Sequence, residues 1–94
     1  MFIVELKFSN NKNEAKEHMA GHMEWIKQGF ADDVFLMAGS IQPNLGGAVM
    51  AHNTSLSELD ARVNQDPFVV HDIVTAEIIE ITPSKTDDRL NFLL

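Results

Sequence analysis

The order of the hydrophobic periodicities is the feature that most restricts what this chain of 94 residues can fold into. Apolar residues at every second position predict a strand, and apolar residues spaced by three and four predict a helix. Along the chain these periods predict strand, helix, strand, strand, helix and strand. That order is the ferredoxin-like βαββαβ arrangement, an α+β fold in which an antiparallel four-stranded sheet carries both helices on one face.

The first half of the chain contains three of these predicted elements. Phe2 to Phe8 alternates apolar and polar residues and predicts a strand, and the spacing from Ala15 to about Gly29 predicts a helix. The short apolar run Val34 to Ala38 predicts a second strand, because it is too brief for a typical helix. Gly39 to Asn44, which includes a proline, is predicted to be a loop.

The second half repeats the pattern. Gly46-Gly47 opens an extended segment that continues from Ala48 to His52. Ser55-Leu56-Ser57-Glu58 has the pattern of a capping box, and a helix is predicted from there to about Asn64. The β-branched stretch Ile73 to Ile81 predicts the last strand.

The last predicted strand carries apolar residues on both of its faces. One face holds Val74, Ala76 and Ile78, and the other holds Ile73, Thr75, Ile79 and Ile81. Because the helices cover only one face, the other apolar face requires a partner. We expect a homodimer formed through the open sheet face. The tail, residues 84–94, either latches onto the second subunit or closes over its own core.

His22 and Asp66 are the main candidates for chemistry. His22 lies near the apolar stripe of the first helix, and the second helix must stop at Asp66 because the next residue is Pro67. If both helices lie on one face of the sheet, the imidazole and the carboxylate can meet at the edge of a pocket and transfer protons. The alternative is a core-edge histidine, with Asp66 capping the local backbone before Pro67.

Four further residues are candidates for binding a substrate. Ser40 and Gly39 could offer a hydroxyl and backbone N–H groups to a substrate oxygen, although a serine in a loop is often only a turn residue. Trp25 could form a stacking wall of the pocket or could serve only for packing. Pro67, next to Asp66, is expected to line the same pocket.

A metal site is a weaker alternative. His18 and His22 are four residues apart on one helix and could share an ion, with His52, His71 or Asp66 as a third ligand. No His-Glu-x-x-His grouping surrounds them, and a surface histidine beside a half-buried one explains the same spacing. We therefore expect no metal and no organic cofactor.

Composition restricts the possible partners. The net charge of −7 disfavours binding to nucleic acid and to anionic membranes, which leaves a small molecule as the expected ligand. The 94 residues are expected to form a single domain. The chain has no cysteine, and no apolar run approaches the roughly 20 residues of a membrane span. Its first residues do not resemble a signal peptide, so the cytoplasm is the expected location.

The chain resembles the YciI-like (YCII-related) family of small ferredoxin-like proteins. The matching features are His22, Gly39, Gly46-Gly47, the capped second helix, Asp66-Pro67-Phe68 and Ile81-Thr82-Pro83. The resemblance implies a dimeric α+β barrel with a histidine–aspartate pair in a cleft, here His22 and Asp66. Most members have no assigned reaction, and one branch is linked to dechlorination of hydroxyquinol-type aromatics.

Two functional hypotheses follow from these residues. The first is a small enzyme that uses the His22–Asp66 pair for acid–base chemistry on a small organic, aromatic-derived molecule, by isomerisation, elimination or dehalogenation. The second is a non-catalytic ligand-binding or accessory protein in which the pair is structural.

Overall fold

The computed structural model describes residues 1–94 and contains one antiparallel sheet of four strands. Strand β1 (Phe2–Phe8) lies inside the sheet, between β3 (Gly46–Ala51) and β4 (Val74–Glu80). Strand β2 (Phe35–Ile41) pairs with β3 and forms one edge, which gives the order β2-β3-β1-β4. The predicted α+β, ferredoxin-like fold is confirmed.

Three α-helices accompany the sheet. They are α1 (Ala15–Ala31), α2 (Leu56–Val63) and the short α3 (Pro67–Val70), and 3₁₀ turns occupy Lys12–Glu14 and Asp88–Leu93. None of these helices is both long enough and apolar enough to cross a membrane.

The core forms where the helices pack on one face of the sheet. Phe2, Val4 and Leu6 alternate along β1 and are all buried, as the period of two predicted. The helices and the connecting segments contribute further buried apolar residues, which are Trp25, Val34, Leu59, Val63, Phe68 and Ile73.

Ile73 corrects one prediction about the sheet faces. The alternation placed it on the open face, but it is fully buried in the core. Strand β4 begins only at Val74, and the preceding Asp72 has a positive φ of 55°, so the strand alternation does not extend back to Ile73. Its N–H donates to the carbonyl of Phe68 over 2.9 Å, which holds it under α3.

Strand β2 is longer than the sequence predicted. Gly39 pairs with Ala48 and Ser40 pairs with Gly47, so the strand continues to Ile41 and the predicted loop begins at Gln42 instead of Gly39. Pairing with β3 supplies the hydrogen bonds that hold glycine and serine in a strand, in spite of their low intrinsic preference for it. Gly39 and Ser40 therefore occupy a regular sheet position rather than a turn.

The second face of the sheet carries no helix of this chain. Ile3 and Ile79 are cross-strand partners on that face, and Ile79 is exposed. In the tail, the ring of Phe92 meets His52 edge-on at 5.6 Å between centroids. The homodimer through this face stays a prediction.

Candidate active site

His22 and Asp66 are in direct contact, although 44 positions separate them in the sequence. Nδ1 of His22 lies 2.8 Å from Oδ1 of Asp66. The Asp66 side chain is completely buried, whereas the His22 side chain keeps 13% of its surface exposed. The imidazole therefore lies between solvent and a buried carboxylate.

Asp66 is held in place by the start of α3. Its backbone is extended (φ −62°, ψ 124°), as expected for a residue before proline, and Pro67 occupies the first position of the helix. Oδ1 also accepts a hydrogen bond from the N–H of Phe68 over 3.0 Å, so Asp66 is the N-cap of α3. Asp66 and Pro67 thus begin a short helix that the sequence periodicities did not predict. The second oxygen, Oδ2, is buried without a hydrogen-bond partner in the chain.

A glycine allows α1 to approach α3 closely enough for this contact. A Cβ atom added to Gly21 would lie 3.0 Å from Cγ of Pro67, which is tighter than ordinary packing. Gly21 precedes His22 and Pro67 follows Asp66, so the distance between these two neighbours also sets the distance between the imidazole and the carboxylate.

Aromatic stacking fixes the plane of the His22 ring. The ring of Phe68 lies parallel to it, with 3.9 Å between centroids and an interplanar angle of 2°. Because a carboxylate can only accept a hydrogen bond, the neutral imidazole carries its proton on Nδ1 and keeps a lone pair on Nε2. Nε2, the ring nitrogen that is not bonded to Asp66, is the one available to a ligand.

A cavity of about 360 Å³ lies between α1 and the sheet and reaches this ring. Helix α1 contributes Met19, His22, Met23 and Ile26 to its wall. The sheet, with Phe68 from α3, contributes Leu6, Phe8, Ala38, Gly39, Ser40, Gly46, Gly47, Ala48, Val49, Phe68 and Val74. Asp66 is not part of the lining, so His22 separates the cavity from the carboxylate. The volume lies at the lower end of the range for small-molecule sites, about 300–1,000 Å³.

The residues predicted to bind a substrate divide into two pairs. Gly39 and Ser40 line the cavity, but Trp25 and Pro67 do not. Trp25 instead donates from Nε1 to the carbonyl of Arg62 over 2.9 Å and is largely buried against the core. Pro67 packs against α1 at Gly21.

The other histidines do not converge with His22. The ring of His18 stacks on His71, with 3.8 Å between centroids, and His52 lies 3.7 Å from a carboxylate oxygen of Asp33. His22 belongs to no group of three convergent donor atoms, so the alternative metal site shared by His18 and His22 is not assembled. Donor atoms of Glu14, Glu17 and His18 do lie within 4.8 Å of one another on a partly exposed surface.

Sequence reasoning did not assign the methionines to the site. Met19, Met23, Ile26 and Phe68 line the cavity beside His22, and Phe68 belongs to the core as well. Met19 and Ile26 lie three and four residues from His22, and Met23 lies four residues from Met19; this spacing was the signal, because such residues share one face of a helix.

A comparison with protein-family models finds a match to the YCII-related domain over residues 1–83. The chain belongs to the YCII-related family. Among curated protein sequences, none matches this chain.

A comparison with solved structures shows a similar fold. The 5-chloro-2-hydroxyhydroquinone dehydrochlorinase from Burkholderia phenoliruptrix AC1100, in complex with 2,5-dihydroxybenzoquinone, matches with a TM-score of 0.70 and 13% sequence identity. The match covers 86% of this chain and 93% of that protein. At 13% identity the likeness supports the fold of this chain but gives no information about its activity.

Proposed function

We propose that this protein is a small acid–base enzyme in which His22 moves a proton of a small organic molecule bound in the cavity. The observation that carries the proposal is the contact between Nδ1 of His22 and the buried Oδ1 of Asp66, with the same ring exposed to the cavity. A histidine used only for packing has no need of a buried carboxylate behind it and a ligand-sized cavity in front of it.

In the proposed reaction, Nε2 of His22 takes a proton from a carbon or a hydroxyl of the substrate. The resulting imidazolium is stabilised by the carboxylate of Asp66, whose position is fixed by the N–H of Phe68. Return of the proton to a different atom completes an isomerisation, and departure of a leaving group with the electron pair completes an elimination. Dehalogenation is the elimination in which that group is halide, and the dehydrochlorinase of similar fold supports this class.

Ser40 and Gly39 are proposed to bind the substrate beside His22. Both line the cavity, and the Ser40 hydroxyl can donate to or accept from a substrate oxygen.

We also propose that a homodimer covers the open sheet face, with the tail of residues 84–94 near the interface, because Ile79 and Phe92 are exposed. A single domain and a cytoplasmic location complete the proposal.

The test is a turnover screen of quinol, lactone and enol substrates, including halogenated quinols. We expect His22→Gln and Asp66→Asn each to lower turnover by about 10²–10⁴-fold, the usual contribution of a general base. The matched control is His18→Gln, which removes a histidine from the same helix outside the cavity and should leave turnover unchanged. Full activity in His22→Gln would contradict the proposal.

The competing function is a ligand-binding protein in which the pair is structural. It is favoured by the second bond of Asp66 Oδ1 to the N–H of Phe68, because that bond stabilises α3 whether or not the protein is an enzyme. Saturable ligand binding without turnover, unchanged by His22→Gln, would decide for this alternative.

A further inference from the structure

We infer that the cavity selects uncharged, largely apolar ligands and discriminates against anions. This inference rests on the proposed function, because it concerns the ligand of the same site.

The wall of the cavity is mostly apolar. Ten of its fifteen residues are hydrophobic, and His22 and Ser40 are the two with polar side chains. An anion that entered this cavity would exchange part of its hydration for one side-chain hydroxyl and one imidazole, and loss of hydration without a paired charge is disfavoured.

The histidine–aspartate pair offers no net positive charge to a ligand. With a neutral imidazole, His22 and the Asp66 carboxylate together carry one negative charge, and with an imidazolium they carry none. The carboxylate lies within hydrogen-bond distance of the ring that faces the ligand. An anionic substrate is therefore repelled in the state in which His22 is ready to accept a proton. The net charge of −7 on the whole chain acts in the same direction.

One cation touches the wall of the cavity. Nζ of Lys12 lies 4.7 Å from the centroid of the Phe8 ring, and Phe8 lines the cavity. This cation–π contact places the ammonium group on the aromatic wall, where it is attracted by the ring. Arg62, by contrast, lies 3.0 Å from a carboxylate oxygen of Asp32. Lys12 is therefore the residue with which the opposite inference, an anion site, can be tested.

The helix side of the cavity suits an apolar ligand of adaptable shape. Met19 and Met23 lie one turn apart on α1 and are partly exposed at the wall. Methionine is flexible and polarisable, and it makes favourable contacts with aromatic rings. These side chains can close over a small unsaturated molecule without any charged contact.

The experiment compares ligands that differ in charge and little in shape. The uniformly labelled full chain is titrated at neutral pH with benzamide and benzoate, and separately with phenylacetamide and phenylacetate. Binding is followed by the backbone amide signals of Ser40 and Gly47, which line the cavity. We expect the amides to shift these signals with a dissociation constant at least about tenfold lower than that of the matching carboxylates. Equal or tighter binding of the carboxylates overturns the inference, and so does the absence of any shift with either amide.

Variants of one wall residue test the cause. Ala38 lines the cavity and is exposed, so Ala38→Lys brings a cation into it and should shift the preference towards benzoate, whereas the neutral control Ala38→Gln should not. Lys12→Gln should leave the preference unchanged. If it instead abolishes benzoate binding that the wild type shows, Lys12 forms an anion site and the inference fails.

These measurements are independent of catalysis because the probes do not react. If the preference for amides holds but no substrate is turned over, the charge selection stands and the proposed enzyme function falls. If turnover depends on His22 but benzoate binds best, the acid–base function stands and the inference about ligand charge is wrong.

Discussion

Asp66 both holds the ring of His22 and caps helix α3, and replacing it by alanine or by asparagine should distinguish these two roles. Its Oδ1 accepts from Nδ1 of His22 over 2.8 Å and from the N–H of Phe68 over 3.0 Å. Alanine removes both hydrogen bonds, whereas asparagine keeps a carbonyl oxygen in the same place and removes only the charge.

The expected loss of stability can be summed from these contacts. Loss of an N-cap costs about 0.5–2 kcal/mol. Loss of a hydrogen bond to a charged group costs about 1.5–3 kcal/mol. Asp66→Ala should therefore lower the free energy of unfolding by about 2–5 kcal/mol, a large part of the stability of a small domain.

Asp66→Asn should be milder. Charge-assisted hydrogen bonds are roughly twice as strong as neutral ones, so the loss should be about 1 kcal/mol. The new amide nitrogen takes the place of Oδ2, which is already buried without a partner. The number of unpartnered buried side-chain atoms at this position is therefore unchanged.

Urea denaturation at a fixed protein concentration measures both differences, because a dimer would make the midpoint depend on concentration. The control is Asp60→Ala, an exposed aspartate on α2 whose loss should change stability by no more than about 0.5 kcal/mol. Nitrogen-15 NMR of the histidine ring should show the proton on Nδ1 of His22 in the wild type and in Asp66→Asn, and a mixture of tautomers in Asp66→Ala, which has no acceptor at that position. Equal stability of the alanine variant and the wild type would refute the reasoning.

Gly29→Ala should lower stability by about 1–3 kcal/mol in the same assay, because an added Cβ would overlap the ring of Phe35. A stabilised variant would show that α1 is free to move away from β2. Ile79→Asp should halve the mass measured by light scattering if the open sheet face is the dimer interface, and an unchanged mass would argue against that face. Two hydrogen bonds from Ser55 lower the pKa of Glu58. The bond from the Ser55 hydroxyl has the larger effect and the bond from the Ser55 backbone N–H the smaller one. This contribution to stability is present above the unfolded pKa and is lost as pH falls through the folded value, so Ser55→Ala should destabilise the protein more at neutral pH than in acid. A constant difference between the two proteins across that range would contradict the assignment.

Local patterns were sufficient for the framework of this protein. The period of two in β1 and the capping box at Ser55 depend on residues close together in the chain, and both are confirmed. The restriction that Pro67 imposes on Asp66 is equally local, and the extended backbone that it predicts for Asp66 is confirmed. The sequence by itself therefore determined the order of the four strands and of α1 and α2, and the two residues that could meet.

Contacts between residues far apart in the sequence decided the extent of β2, the orientation of Trp25 and the formation of the cavity. Pairing with β3 kept Gly39 and Ser40 in a strand, and the direction of Trp25 was set by the carbonyl of Arg62. The rotation of α1 against the sheet turned Met19 and Met23 towards a cavity. Sequence periodicity shows which residues share a helix face, but only the packing of that face against the sheet decides whether they fill a core or line an opening. The tertiary structure alone therefore placed the ring of His22 between a buried carboxylate and the space for a ligand.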